Sequence, residues 1–138
     1  MNFIKYVLAP LLGDLNIWLF RLEYIVTYYT YRALRRLKNH QENNDDIVVD
    51  RGKLLDLLNT DSKLFNSSFR NIMMHYGLND ADLKLGEKIE KPFYGIIEQC
   101  FDGMDFVTCK KRIEEYGNQL IEFLEEYINM ESFVLQEL

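Results

Sequence analysis

Arg70-Asn71-Ile72-Met73-Met74-His75 is the one string in this chain whose residue types and spacing look like chemistry. It sets a permanent cation, a hydrogen-bonding amide and a titratable imidazole within about one and a half helical turns. A guanidinium can hold two oxygens of an anion in its planar fork. An imidazole can take up or deliver a proton near neutral pH. Elsewhere there is no glycine-rich phosphate loop and no cysteine pair at metal spacing, and the chain has only 2 His in 138 residues. If the protein is an enzyme, catalysis is expected to run through this string, with Arg70, Asn71 and His75 as its working residues.

The string needs a helix to present it. Successive helical side chains turn by about 100°, so Phe65, Phe69, Ile72, Met73 and Tyr76 share a core face. Asn71 and His75, four apart, stack on one flank, where the amide can orient the ring. Arg70 falls on the opposite flank. Met74 points outward between them, which suggests cover by a second subunit. Thr60 or Asp61 is placed to cap this helix, and Gly77 to stop it in a left-handed cap.

The other elements are also helical. From Leu11 the apolar residues Leu12, Leu15, Leu19, Leu22, Val26, Tyr29 and Ala33 recur in steps of three and four. Leu11, Trp18 and Ile25 widen that stripe, while Asp14, Arg21 and Arg35 fall on the far face. This predicts a long helix over residues 11–39 whose basic last turn (Arg32, Arg35, Arg36, Lys38) suits its dipole. Residues 39–46 read as a loop, Leu54 to Leu58 as a short helix, and residues 79–82 as a second loop. Pro92 is placed as a first helical residue ahead of Phe93, Ile96, Ile97, Cys100 and Phe101. Asp102-Gly103 makes a turn. Asp105 then caps a last long helix with Phe106, Cys109, Ile113, Tyr116, Leu120, Phe123, Leu124 and Tyr127 inward. Strand-like alternation is confined to Ile47–Asp50. The expected fold is all-α, a single domain of four or five helices whose two long members pack antiparallel.

Composition fits that expectation. The chain has 48% hydrophobic and 14% aromatic residues, enough for a core without disulfides or metals. Its net charge of −6 does not favour broad, non-specific adhesion to nucleic acid and leaves polyanion contacts to local basic patches. Cys100 and Cys109 lie among apolar residues and read as reduced core thiols. The uncharged runs of the amino-terminal third are broken by Asp14, Arg21 and Glu23, short of the ~20 apolar residues a membrane span needs. No small-residue cleavage site follows them, so no membrane association is expected and the cytoplasm is the expected location.

Phe69-Arg70-Asn71-Ile72-Met73-Met74-His75-Tyr76 resembles the signature of the HEPN superfamily (higher eukaryotes and prokaryotes nucleotide-binding). These are small all-helical domains marked by Arg, often Asn, a spacer, then His. The resemblance covers residues 69–76 and the helical architecture. Arg35 and His40 repeat the Arg-to-His spacing, but Arg36 follows in place of Asn and the pair runs into a polar loop. Many members are metal-independent ribonucleases, among them toxins, CRISPR-associated nucleases and antiviral abortive-infection proteins, and they usually dimerise with two motifs facing. The resemblance therefore implies a homodimer, RNA as substrate and no cofactor. In members silenced by nucleotide transfer onto a tyrosine, that tyrosine stands two places after the His. Here Gly77 stands there, so no nucleotidyltransferase partner is implied.

Such a site would run transesterification at an RNA phosphodiester. One His cannot be base and acid in a concerted displacement, so two subunits are needed to supply both, leaving a 2′,3′-cyclic phosphate and a 5′-hydroxyl. Arg32, Arg35 and Arg36, near Tyr28, Tyr29 and Tyr31, can hold single-stranded RNA, with Tyr76 beside the motif as a further contact. The favoured reading of the same arginines is a helix end that complements its dipole beside core tyrosines. Lys110 to Arg112 are expected to pair with Glu114 and Glu115. The acidic run Glu114, Glu115, Glu122, Glu125, Glu126 is expected to be a solvated face, because neither His40 nor His75 has the Glu three residues before it that bundle metal sites require. The rival expectation is a non-catalytic helical module. In that case Arg70 pairs with one of the 22 acidic residues, Asn71 with His75, and the motif helix is only an interface.

Overall fold

The computed structural model describes residues 16–43, 49–75 and 91–127. Their elements are helical: α1 (Ile17–Gln41), α2 (Arg51–Asn59), a 3-10 turn (Ser62–Leu64), α3 (Ser67–His75), a second 3-10 turn (Pro92–Gly95), α4 (Ile96–Cys100) and α5 (Phe106–Tyr127). No strand occurs among the described residues, and Asp50, at the end of the strand-like run, instead caps α2 through the amides of Gly52 and Lys53. The all-α bundle is as expected. Residues 11–15, 44–48, 77 and 79–82 lie outside the described residues.

Helix starts follow local chemistry. Asn16 accepts from the amides of Trp18 and Leu19 at 2.9 and 3.2 Å, opening α1. Asp105 accepts from the Thr108 amide at 2.7 Å, as anticipated, and that bond holds its carboxyl below the usual range. The turn at Asp102 and Gly103 is left-handed at both residues, φ 54° and 85°. Pro92 departs from expectation. It opens a turn in which Phe93 and Tyr94 are themselves left-handed (φ 54° and 53°), and right-handed helix begins only after Gly95. The Phe93 ring lies 5.6 Å from Phe20, 6.2 Å from Phe69 and 6.0 Å from Phe106, so this conformation seats it against the core.

The two long helices run in the same direction, correcting the expected antiparallel pair. Phe20 meets Phe106 at 5.1 Å near their starts, and Tyr31 meets Tyr116 at 6.3 Å farther along. The antiparallel neighbour of both is α2. Lys53 pairs with Glu126 at 2.9 Å, while Asp61, just beyond α2, pairs with Arg112. Leu57 in the same helix receives the Tyr116 hydroxyl at 2.9 Å. One core cluster gathers Phe20, Tyr24, Phe69, Met73, Ile97 and Ile113; another gathers Tyr31, Leu34, Leu54, Leu58 and Leu120. Phe65 joins them, stacked on Tyr31 at 3.9 Å and edge-on to Tyr116 at 4.9 Å.

Burial shapes the acid–base behaviour of this core. Desolvation pushes the Cys109 thiol up to about 12 and the Tyr24 and Tyr116 phenols above their usual range. A proton-releasing group raised in the fold lends stability below its ordinary value, here 9.0 for the thiol and 10.0 for the phenols, and loses it as pH climbs through the folded value. The urea midpoint is accordingly expected to be lower at about pH 10.5 than at about pH 7.5, and an unchanged midpoint would contradict this core. Cys100 and Cys109 form no disulfide with each other; Cys100 is half-buried and Cys109 buried.

Candidate functional site

The motif helix is shorter than the sequence pattern suggests and is capped elsewhere. The chain breaks at Phe65 and Asn66 after the 3-10 turn, and neither Thr60 nor Asp61 caps α3. Thr60 ends α2 by donating to Asp56 O, and Asp61, in left-handed backbone, opens the 3-10 turn. Asn66 takes the role. Its Oδ1 accepts from the Phe69 amide at 3.0 Å, and its Nδ2 donates to Cys100 O at 3.1 Å. The Tyr24 hydroxyl, buried beneath, lies 3.0 Å from Leu64 O and 3.1 Å from Asn66 O. Asn66→Ala removes cap and strut together. We expect it to cost about 1–2 kcal/mol in urea unfolding; a loss within error would deny Asn66 this role.

The other end of α3 is held from α1. Arg21 donates through Nε to Met73 O and through Nη2 to Met74 O at 3.2 Å, tying two backbone carbonyls of the last described turn of α3 to α1. Its guanidinium also lies over the Trp18 ring, 5.6 Å from the centroid. The sequence pattern places Arg21 on a far face; the structure places it one residue from His75. No spacing rule finds that contact, because it joins residues 52 and 53 apart in sequence.

Arg70 leans against α1. Its guanidinium carbon lies 5.5 Å from the Tyr28 ring and 5.9 Å from Tyr29. Nη1 is a long 3.5 Å from the Tyr29 hydroxyl, and Nε is buried with no hydrogen-bond partner among the described residues. No carboxylate within them pairs with Arg70. Two aromatic faces thus hold this cation, and the described residues take up little of its hydrogen-bonding capacity.

Asn71 and His75 are both exposed and make no hydrogen bond to each other among the described contacts, so the expected amide-to-ring support is absent. Met74 is outward at 37% exposure, as anticipated. His75 follows Arg70 by five positions, which turns them about 140° apart on the helix. One copy of α3 therefore does not aim both at a common point.

Among the expected substrate contacts, Arg32 and Arg36 are exposed on the side of α1 that carries Tyr29. Arg35 is turned away from them, its guanidinium 5.9 Å from the ring of Tyr31. Tyr76 lies outside the described residues. The basic triplet in α5 pairs in part as anticipated: Lys110 with Glu114 and Lys111 with Glu115 at 3.6 Å, while Arg112 reaches Asp61 instead. Glu122 and Glu125 are exposed, and Glu126 lies half-exposed in its pair with Lys53. Among the described residues no three His, Cys, Asp or Glu side chains gather as a metal site would require, and no helix is long and apolar enough to cross a membrane. The chain matches no known family model, no curated protein and no solved structure.

Proposed function

We infer that this chain is a HEPN-type endoribonuclease of the cytoplasm, acting as a homodimer with Arg70, Asn71 and His75 of two copies around one scissile phosphodiester. The observation that carries the reading is Arg70, a guanidinium held by two tyrosine rings with no carboxylate partner among the described residues, five residues before an exposed imidazole. Within the described residues a merely structural cation would be expected to hold an acid, as Lys53, Lys110 and Arg112 do.

The chemistry then divides between subunits. One neutral imidazole accepts the 2′-hydroxyl proton as the 2′-oxygen attacks phosphorus. The other, protonated, delivers its proton to the 5′-oxygen as the P–O5′ bond breaks, giving a 2′,3′-cyclic phosphate and a 5′-hydroxyl. Each Arg70 neutralises charge building on the phosphorane oxygens. Because one helix sends Arg70 and His75 to different sides, a second copy laid across the face of Asn71, Met74 and His75 supplies the groups the first cannot. Asn71, without a bond to its own His75, is left to meet the partner's ring or the substrate.

The exposed Met74 also favours a second reading, a non-catalytic module whose motif helix is only an interface. Incubating purified protein with total RNA in EDTA, followed by end-group mapping, tests both. Fragments ending in 2′,3′-cyclic phosphate and 5′-hydroxyl support the ribonuclease; intact RNA with a stable dimer supports the rival.

A further inference from the structure

Helix α1 has a second, mostly exposed stripe, in which Ile25 alone is half-buried against the core. Trp18, Leu22, Ile25, Tyr29, Arg32 and Arg36 recur at steps of three and four, opposite the buried Phe20, Tyr24, Thr27, Tyr31 and Leu34. Trp18 is 61% exposed and Tyr29 42%, large values for aromatic rings. Arg21 supports the Trp18 ring from the edge of this stripe, and Arg70 reaches it from α3 beside Tyr29. The stripe holds no acid. Glu23, the one acidic residue between Ile17 and Gln41, stands about 100° or more round the helix from Leu22 and Tyr29. Among the described residues none of Arg32, Arg36 or Arg70 joins an ion pair. In a chain of net charge −6, cations and exposed rings are thus gathered along one line that ends on the motif helix.

We propose that this stripe is the track for single-stranded RNA, with Trp18 and Tyr29 stacking bases and Arg70, Arg32 and Arg36 holding phosphates. The proposal rests on the ribonuclease reading for its choice of RNA and gives that site its substrate class. Alternating flat rings and guanidinium groups suit unpaired nucleotides, whose bases are free to stack, whereas a duplex hides its base faces. Trp18 and Tyr29 are eleven residues apart, about 16 Å along the axis, with Arg70 beside the second. A strand following the stripe would therefore bring its backbone to the motif arginine. The outward face of α3, with Asn71, Met74 and His75, is left for the second copy.

Trp18 is the chain's single tryptophan, so binding on the track reports itself. The probe is a short 2′-O-methyl oligoadenylate, which cannot be cut by 2′-oxygen attack, compared with its duplex. Saturable quenching of tryptophan emission by the single strand and not by the duplex is expected. By anisotropy of a labelled oligomer, Tyr29→Ala and Trp18→Ala should each weaken binding about tenfold. Arg32→Ala with Arg36→Ala should flatten the salt dependence by about 0.7 log units per arginine. Silent tryptophan emission with unchanged affinity in these variants would overturn the track. Dissociation of the dimer by Tyr29→Ala without loss of RNA affinity would also overturn it and assign the stripe to self-association. Binding without any cleavage of natural RNA would sink the ribonuclease reading and leave the track standing. Cleavage with unaltered KM in the same variants would do the reverse.

Discussion

His75→Ala should lower RNA cleavage by about 10²–10⁴-fold while leaving the fold and the dimer untouched. The argument for a large effect is chemical: both proton transfers of the displacement are assigned to the two copies of this ring, so the substitution removes base and acid together. The argument for an intact fold is structural. His75 ends α3 in an exposed position, whereas the helix is seated by Phe69, Ile72 and Met73. Surface changes of that kind usually move stability by less than about 0.5 kcal/mol. Arg70→Lys is the informative companion. It keeps the charge but gives up the planar fork and the contacts with Tyr28 and Tyr29, so we expect activity well below wild type. Single-turnover rates on one labelled RNA, with sedimentation and melting of each variant, check both expectations. Wild-type rates in His75→Ala would end the assignment, and so would loss of the dimer as the sole effect.

Phe69→Ala should be the costliest single change in the core, at about 3–5 kcal/mol. The ring is fully buried and has four aromatic neighbours, with Tyr24 at 4.7 Å, Phe101 at 4.9 Å, Phe93 at 6.2 Å and Phe20 at 6.3 Å. These belong to α1, the second 3-10 turn and the end of α4, which the substitution would leave facing a cavity that none of them can close alone. A domain of this size has about 5–15 kcal/mol in total, so the variant should sit near the edge of folding. Phe69→Leu, which keeps much of the volume, should lose distinctly less. Equilibrium urea unfolding measures both; a Phe69→Ala loss under about 1 kcal/mol would mean that the ring is not the centre of this core.

Much of this architecture can be read from periodicity because local rules govern it. The Asp102-Gly103 turn and the Asp105 cap depend on neighbours a few residues away, and both are observed. The helix of α1 is observed too, but not its expected inward stripe: Leu19 is buried, whereas Trp18, Leu22, Tyr29 and Ala33 are exposed and Phe20, Tyr24, Thr27, Tyr31 and Leu34 face the core instead. What escapes the pattern depends on distant residues. Asp61 is as good a cap by type as Asn66, but Asp61 is engaged by Arg112 from α5, while Asn66 is fixed by Cys100 and Tyr24. Phe93 takes a left-handed backbone because its ring is wanted between Phe20 and Phe106. The parallel course of α1 and α5 is likewise a property of the assembled rings. At the site, the separation of Arg70 from His75 follows from helix geometry alone, and the tyrosine cradle of Arg70 and the grip of Arg21 do not. Asn71 shows the limit of spacing rules, since residues four apart on a helix are neighbours without being bonded.

The pairing of the first long helix with the last also governs when the molecule comes into being during synthesis. Phe20 waits for Phe106 and Tyr31 for Tyr116, partners some 85 residues downstream. With elongation at about 5–20 residues per second, the amino-terminal helix spends several seconds without its main neighbour. Local contacts cannot substitute, so this bundle should fold late and slowly for an all-helical chain of its length. A nascent fragment that already carries residues 70–75 therefore still exposes the rings that α5 will later cover.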